Sequence, residues 1–130
     1  MERKPILCLD FDGVIHSYTS GWQDADVIPD PPVPGAIAFL REAVDHFRVA
    51  IFSSRSHQPG GIEAMKDWLG RWVLEEDPFD VAWVNAIEWP TEKPPALVTI
   101  DDRALTFDGT WPSMDVLRDF KPWNRGGERG

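Results

Sequence analysis

The sequence predicts an α/β fold built on a doubly wound parallel sheet, from three observations. Continuous apolar runs at residues 6–9, 49–52, 81–84 and 97–100 have the form of strands buried on both faces. Segments with apolar residues at helical spacing lie between them. The runs at 6–9, 49–52 and 97–100 each stop at a short polar cluster. Strands alternating with helices imply right-handed crossovers and parallel pairing. At 130 residues the chain fits one domain with a real core.

The elements follow in order. The first run ends at Asp10-Phe11-Asp12-Gly13. Residues 14–33 are polar, aromatic and proline-rich, and read as a loop or flap with at most a small hairpin. Pro34 suits the first turn of a helix. Ile37, Leu40, Val44 and Phe47 then recur at helical spacing, with Arg41, Glu42 and Asp45 opposite. The second strand, 49–52, stops at Ser53-Ser54-Arg55-Ser56. After Pro59-Gly60-Gly61, a second amphipathic helix is traced by Ile62, Met65, Trp68, Leu69 and Trp72. Residues 81–84 are expected as a third strand, 85–96 as a loop carrying Lys93, and 97–100 as a fourth strand ending at Asp101-Asp102. Asp108-Gly109 predicts a tight hairpin turn between flanking strands. Ser113 is expected to cap a last short helix reaching about Phe120. A single domain over 1–123 is expected, with 124–130 a frayed tail.

Composition narrows the function classes. With 42% hydrophobic and 27% charged residues, the chain reads as globular, not disordered. No apolar run approaches the ~18 residues that cross a bilayer, and the start lacks a signal-peptide pattern. No membrane partner is expected. The single cysteine, Cys8, excludes an internal disulfide framework and fits a reducing, cytoplasmic setting. A net charge of −9 disfavours a nucleic-acid partner, because a polyanion is repelled unless the site is locally basic.

In a parallel sheet, ligands bind beyond the carboxyl ends of the strands. Asp10, Asp12, Ser53, Ser54, Arg55, Asp101 and Asp102 all lie at such ends, with Lys93 in the approach to the last. Asp10 and Asp12 are two apart, so their side chains can share a side. Carboxylates that close repel one another unless a cation or proton intervenes, and Asp101 and Asp102 add to the repulsion. Hard oxygen donors without a His or Cys cluster favour Mg²⁺ over Zn²⁺.

These segments resemble the motifs of haloacid dehalogenase-like hydrolases. Asp10-Phe11-Asp12-Gly13-Val14 is similar to the first motif, Phe52-Ser53-Ser54-Arg55 to the second, Lys93 to the third and Ile100-Asp101-Asp102 to the fourth. Order and spacing agree over residues 5 to about 111. The resemblance implies a three-layer α/β/α Rossmann-like sheet. It implies Asp10 as nucleophile, forming an aspartyl-phosphate, and Asp12 as general acid and base. Ser53, with Ser54 beside it, and Lys93 would hold the phosphoryl group; Arg55, in the same turn, can touch the phosphate or pair with a nearby acid. Asp10, Asp101, Asp102 and the Asp12 backbone carbonyl would hold Mg²⁺. The second acid, Asp12, points to a phosphatase or phosphomutase over a dehalogenase. Two departures stand out: no acid follows about four residues after Asp102, and Ser54 replaces the usual Gly or Asn.

The slots where relatives insert a cap, 13–33 and 85–96, are short, so the resemblance implies a capless member with an open site. Such a site suits a bulky phosphorylated substrate, or a second subunit acting as lid in a homo-oligomer. His16, Tyr18 and Trp22 in the flap, and His57 after the second strand, can reach a substrate or simply pack and solvate. Ser53-Ser54-Arg55 and Asp101-Asp102-Arg103 are also similar to the phosphatase module of polynucleotide kinase-phosphatases, implying a nucleic-acid 3′-phosphate as an alternative substrate. A non-catalytic phospho-ligand-binding protein of the same fold is the alternative from another class.

Overall fold

Four apolar residues at Ile6–Leu9 form β1, the central strand, in a computed structural model whose described residues are 4–123. It is followed by α1 (Ala36–His46), β2 (Arg48–Ile51), α2 (Gly61–Glu76), a 3-10 turn at Ala82–Ala86, β3 (Val98–Ile100) and α3 (Met114–Arg118). The three strands form one parallel sheet in the order β2-β1-β3. The chain therefore steps to one side of β1 for β2 and returns to the other side for β3. The sheet order reverses at β1, and a crevice opens there at the carboxyl ends of the strands.

Register decides what is buried. Leu7 lies between Val49 and Val98, and Leu9 between Ile51 and Ile100. Alternate residues share a face, and Leu7, Leu9, Val49 and Ile51 form one core with α1 and α2. Helix α1 contributes Ile37, Leu40, Ala43 and Val44, and α2 contributes Met65, Trp68, Leu69 and Val73. Each of the larger aliphatic side chains among them stabilises the fold by roughly 1.5–3 kcal/mol when fully buried. The helices leave β3 uncovered: Val98 is 47% and Ile100 38% exposed, and α3 has no buried residue. What stands is an α/β fold with a small open parallel sheet and three helices. Among the described residues no helix is long and apolar enough to cross a membrane.

The sequence expectations fare unevenly. Strands at 6–9, 48–51 and 98–100 form, the second shifted by one residue. The expected strand at 81–84 is instead the 3-10 turn Ala82–Ala86. Four apolar residues suit either form, and the place beside β2 is taken by Glu88. Its amide donates to the Val49 carbonyl at 2.8 Å and its carbonyl accepts from the Ile51 amide at 2.9 Å. Arg48 forks onto its carboxylate with two bonds of 2.9 Å. The third strand is thus a single bridged residue facing Ala50.

Pro34 lies before α1, whose N-cap is Gly35. At 108–110 the chain only bends, with the Thr110 amide donating to Asp108 Oδ1 at 3.0 Å, and neither flank is a strand, so the expected hairpin does not form. The Phe107 and Trp111 rings meet instead, 4.8 Å apart. Ser113 does cap α3, accepting from the Val116 amide. The expected frayed tail, 124–130, lies outside the described residues.

Candidate active site

Asp10 leaves the end of β1 and donates its amide to the Ile100 carbonyl at 3.0 Å, so the ends of β1 and β3 are fixed side by side. This sets Asp10 against Asp101 and Asp102, with one carboxylate oxygen from each within 4.8 Å of the others. Burial, with repulsion from Asp101, Asp102 and Asp12, pushes the Asp10 carboxyl up to about 7, against the Phe11 amide bonded to it at 2.8 Å. Burial likewise pushes Asp102 up, opposed by Arg103 and reinforced by Asp101.

Two details make the crowding more than surface acidity. Asp102 Oδ1 is buried without a hydrogen-bond partner, and the Arg103 Nε lies 4.0 Å away. Gly13 has φ +85°, and a Cβ there would stand 2.1 Å from Asp102 Oδ2, so only glycine lets the loop after Asp12 approach so closely. Converging hard oxygens, one of them orphaned, fit a divalent cation such as Mg²⁺. The trio excludes the Asp12 carboxylate, which sequence reasoning grouped with it.

The Asp12 carboxylate lies outside that trio, 14% exposed and held in a clamp of its own. Arg55 Nε donates to its Oδ2 at 2.9 Å and Arg55 Nη2 to its Oδ1 at 3.2 Å. His16 Nδ1 lies 2.8 Å from the same Oδ1. The Asp30 amide, which can only donate, points at His16 Nε2 at 3.1 Å. Nε2 is therefore the acceptor, and the proton of the neutral ring sits on Nδ1, donated to Asp12.

His16 is fully buried, enclosed by the rings of Phe11, Tyr18 and Trp68. Beneath it, Asp30 accepts from the Ser20 amide at 2.7 Å and the Ser20 hydroxyl at 2.6 Å. Burial alone would raise its carboxyl, but the bonds from Ser20 and Thr19 outweigh burial and hold it low.

Of the two places the sequence offers Arg55, the phosphate or a nearby acid, the structure shows the second: it is 0% exposed and paired with Asp12. Its Nη1 donates to the carbonyls of Asp24, Ala25 and Val27 at 2.8, 2.8 and 3.2 Å. A guanidinium so engaged ties the flap to Asp12 and stands behind the site. The start of α2 presses on this loop: a Cβ at Gly61 would lie 1.9 Å from the Arg55 carbonyl oxygen.

The open side of Asp10 is a cleft of about 170 Å³ lined by Cys8, Asp10, Phe52, Ser53, Ser54, Lys93, Thr99 and Asp101. Five of the residues singled out from sequence thus share one hollow: Asp10, Ser53, Ser54, Lys93 and Asp101. Ser53 is buried, and its hydroxyl accepts from the Arg55 amide at 3.0 Å, so its position is fixed by the turn it starts. Ser54 and Lys93 are exposed. Burial raises the Cys8 thiol, partly offset by Lys93, and leaves it an inert floor.

The cleft is smaller than the ~300 Å³ of a typical small-molecule pocket, which suits a phosphoryl-sized head group with the remainder outside. A broader hollow beside it is lined by residues 56–60, Ile62, Glu63, Thr91 and Glu92. A third, apolar hollow of about 230 Å³ under Val14, Phe39 and Ile100 contains no titratable group, so it carries no chemistry of this kind.

Sequence reasoning left His16 open between reaching substrate and packing, and read Asp30 only as part of the 14–33 loop. Their signal was faint: polar residues amid aromatics and prolines. Trp123, given no role from sequence, donates from Nε1 to the Gly13 carbonyl at 2.7 Å, tying the end of the described chain to the loop that carries Asp12. Comparison with protein-family models, with curated proteins and with solved structures finds no match to this chain.

Proposed function

We propose that the protein is a Mg²⁺-dependent phosphoric monoester hydrolase working through Asp10, with the capless, Rossmann-like architecture of haloacid dehalogenase-like enzymes. The observation that carries this reading is the shared cleft, where Asp10 meets Ser53, Ser54, the cation Lys93 and Asp101, with Asp102 close by. An Asp10 oxygen attacks phosphorus, and the bond to the leaving oxygen breaks with its electron pair. Lys93 and the serine hydroxyls offset the charge on the transferred group. Asp12, held in one orientation, protonates the leaving oxygen and later takes a proton from the water that releases Asp10 and phosphate. Bound Mg²⁺ would be held by Asp10, Asp101 and Asp102 and would supply charge compensation. The substrate is a phosphorylated molecule whose body lies outside the cleft. The buried free thiol of Cys8 suits a cytoplasmic setting.

The test is phosphate release from an aryl phosphate with Mg²⁺ and with EDTA. Turnover is expected only with the metal, and Asp10→Asn should lose it while remaining folded. Wild-type rates in Asp10→Asn would overturn the assignment.

A further inference from the structure

We propose that the alcohol part of the substrate lies in the broader hollow beside the Asp10 cleft and carries an amino group, which Glu63 and Glu92 receive. This rests on the phosphatase reading above and adds a substrate class to it. The cleft, about 170 Å³, accommodates a phosphoryl head and little more. The hollow, about 650 Å³, has the volume of an ordinary small-molecule site.

The two spaces share their walls. Phe52, Ser53 and Ser54 line the cleft, and Ser56, His57 and Gln58 line the hollow. The Ser53 amide donates to the Ser56 hydroxyl at 3.0 Å, and Gln58 Nε2 donates to the Ser54 carbonyl at 2.9 Å. The His57 and Phe52 rings meet edge to face, 5.5 Å apart. A second stretch of chain does the same: Thr91 and Glu92 line the hollow, and the next residue, Lys93, lines the cleft. A phosphoryl group seated at Asp10 therefore leaves the rest of its molecule next to the hollow.

The charges of the two spaces differ. Lys93 stands at the cleft, whereas no Lys or Arg lines the hollow and two acids, Glu63 and Glu92, do. Neither carboxylate has an ion-pair or hydrogen-bond partner among the described residues. Glu63, in the first turn of α2, also suits the positive end of that helix; Glu92, in a loop, has no such local use. The hollow holds a donor as well. Ser56 is 4% exposed, and its hydroxyl accepts from Ser53 but donates to no group among the described residues. A body that carries an ammonium group and oxygen acceptors meets all three residues, and an amino sugar has both. A second anionic group is repelled there, which counts against a polynucleotide end.

The experiment compares wild type with two double variants, Glu63→Gln with Glu92→Gln and Glu75→Gln with Glu76→Gln. The substrates are glucosamine 6-phosphate, glucose 6-phosphate and 6-phosphogluconate, whose bodies are cationic, neutral and anionic, and thermal unfolding checks folding. Wild type should prefer them in that order. With Glu63 and Glu92 neutralised, kcat/KM for the amine relative to glucose 6-phosphate should fall about tenfold, carried by KM, or about threefold for each exposed ion pair lost. The same ratio for the acid should rise. Neutralising Glu75 and Glu76 removes the same charge from the far end of α2, roughly 18 Å away, and should leave both ratios at their wild-type values. Equal changes in the two double variants would mean that net charge, not the hollow, sorts the substrates, and would overturn the proposal. So would unchanged ratios without Glu63 and Glu92, a wild type with no preference for the amine, or one that turns over an aryl phosphate but none of the three sugar phosphates. Wild type inactive on the aryl phosphate as well would overturn the phosphatase reading instead.

Discussion

At the scale of single residues, the site turns on how Asp12 and Asp10 are held. His16 gives Asp12 a hydrogen bond through Nδ1 because the Asp30 amide claims Nε2. An asparagine amide nitrogen falls near the place of Nδ1, and a glutamine amide near that of Nε2. His16→Asn should therefore keep the bond to Asp12, and His16→Gln should lose it. Both leave a buried polar group short of a partner, a destabilisation of about 1–3 kcal/mol. Only His16→Gln should also lower kcat by about a hundredfold, the smaller end of what acid–base catalysis contributes. Equal losses in kcat would contradict the orienting role. Asp10 yields a pH prediction. Its folded pKa, about 7, stands above the 3.8 of an unperturbed Asp. Between those values the folded state binds the extra proton, so this group's contribution to stability falls as pH rises through 7. Above pH 7, without a cation, the penalty is on the order of 4 kcal/mol. Asp10→Asn should therefore be more stable than wild type at pH 8 in EDTA, and the gap should close toward pH 4 in urea titrations. Arg55 shows the limit of sequence at this scale. Its place after Ser53-Ser54 puts it at the site, but nothing in that spacing tells that flap carbonyls saturate it from behind.

At the scale of elements, legibility followed burial. The runs at 6–9 and 48–51 are flanked by paired strands or helices, and an uninterrupted apolar run has few other ways to be buried. Helix α2 was legible from period alone, because Met65, Trp68, Leu69 and Val73 all reach the core. The run at 81–84 was not, because its residues sit half-buried at the sheet's margin, where a 3-10 turn serves as well. Glu88, a charged residue with nothing strand-like in its sequence, takes the strand's place through its backbone. Its ion pair with Arg48 has both partners more than 40% exposed. Arg48→Ala should thus cost no more than about 1 kcal/mol. Gly61→Ala should behave differently. Its Cβ would drive the start of α2 off the Arg55 carbonyl, a shift of backbone against backbone that costs roughly 1–3 kcal/mol. Because Arg55 holds Asp12, turnover should fall along with the denaturation midpoint. A Gly61→Ala protein with a lowered midpoint but unchanged turnover would show that the loop and the clamp are not mechanically linked.

At the scale of the whole molecule, topology explains why so much of the site could be anticipated. A parallel sheet brings the ends of successive strands to one edge, so Asp10, Ser53, Ser54 and Asp101 meet without any information about side-chain contacts. The net charge of −9 is less easily read, because two different effects of cations follow from it. Any salt screens the repulsion spread over the surface. Only a specific site rewards a divalent ion beyond its ionic strength. Unfolding temperatures in Mg²⁺ and in NaCl of matched ionic strength separate the two. Mg²⁺ at ten times its dissociation constant stabilises a native site by about 1.4 kcal/mol, or roughly 5 °C for a domain of this size. Wild type should show that excess over NaCl. Asp102→Asn keeps the shape, removes one of the three crowded charges and withdraws a ligand. It should match or exceed wild type without metal, since repulsion is relieved, and gain less than about 1 °C from Mg²⁺ over NaCl. If both proteins gained equally, the ion would be acting on the acidic surface as a whole, and Asp10, Asp101 and Asp102 would be neighbours without a shared ligand.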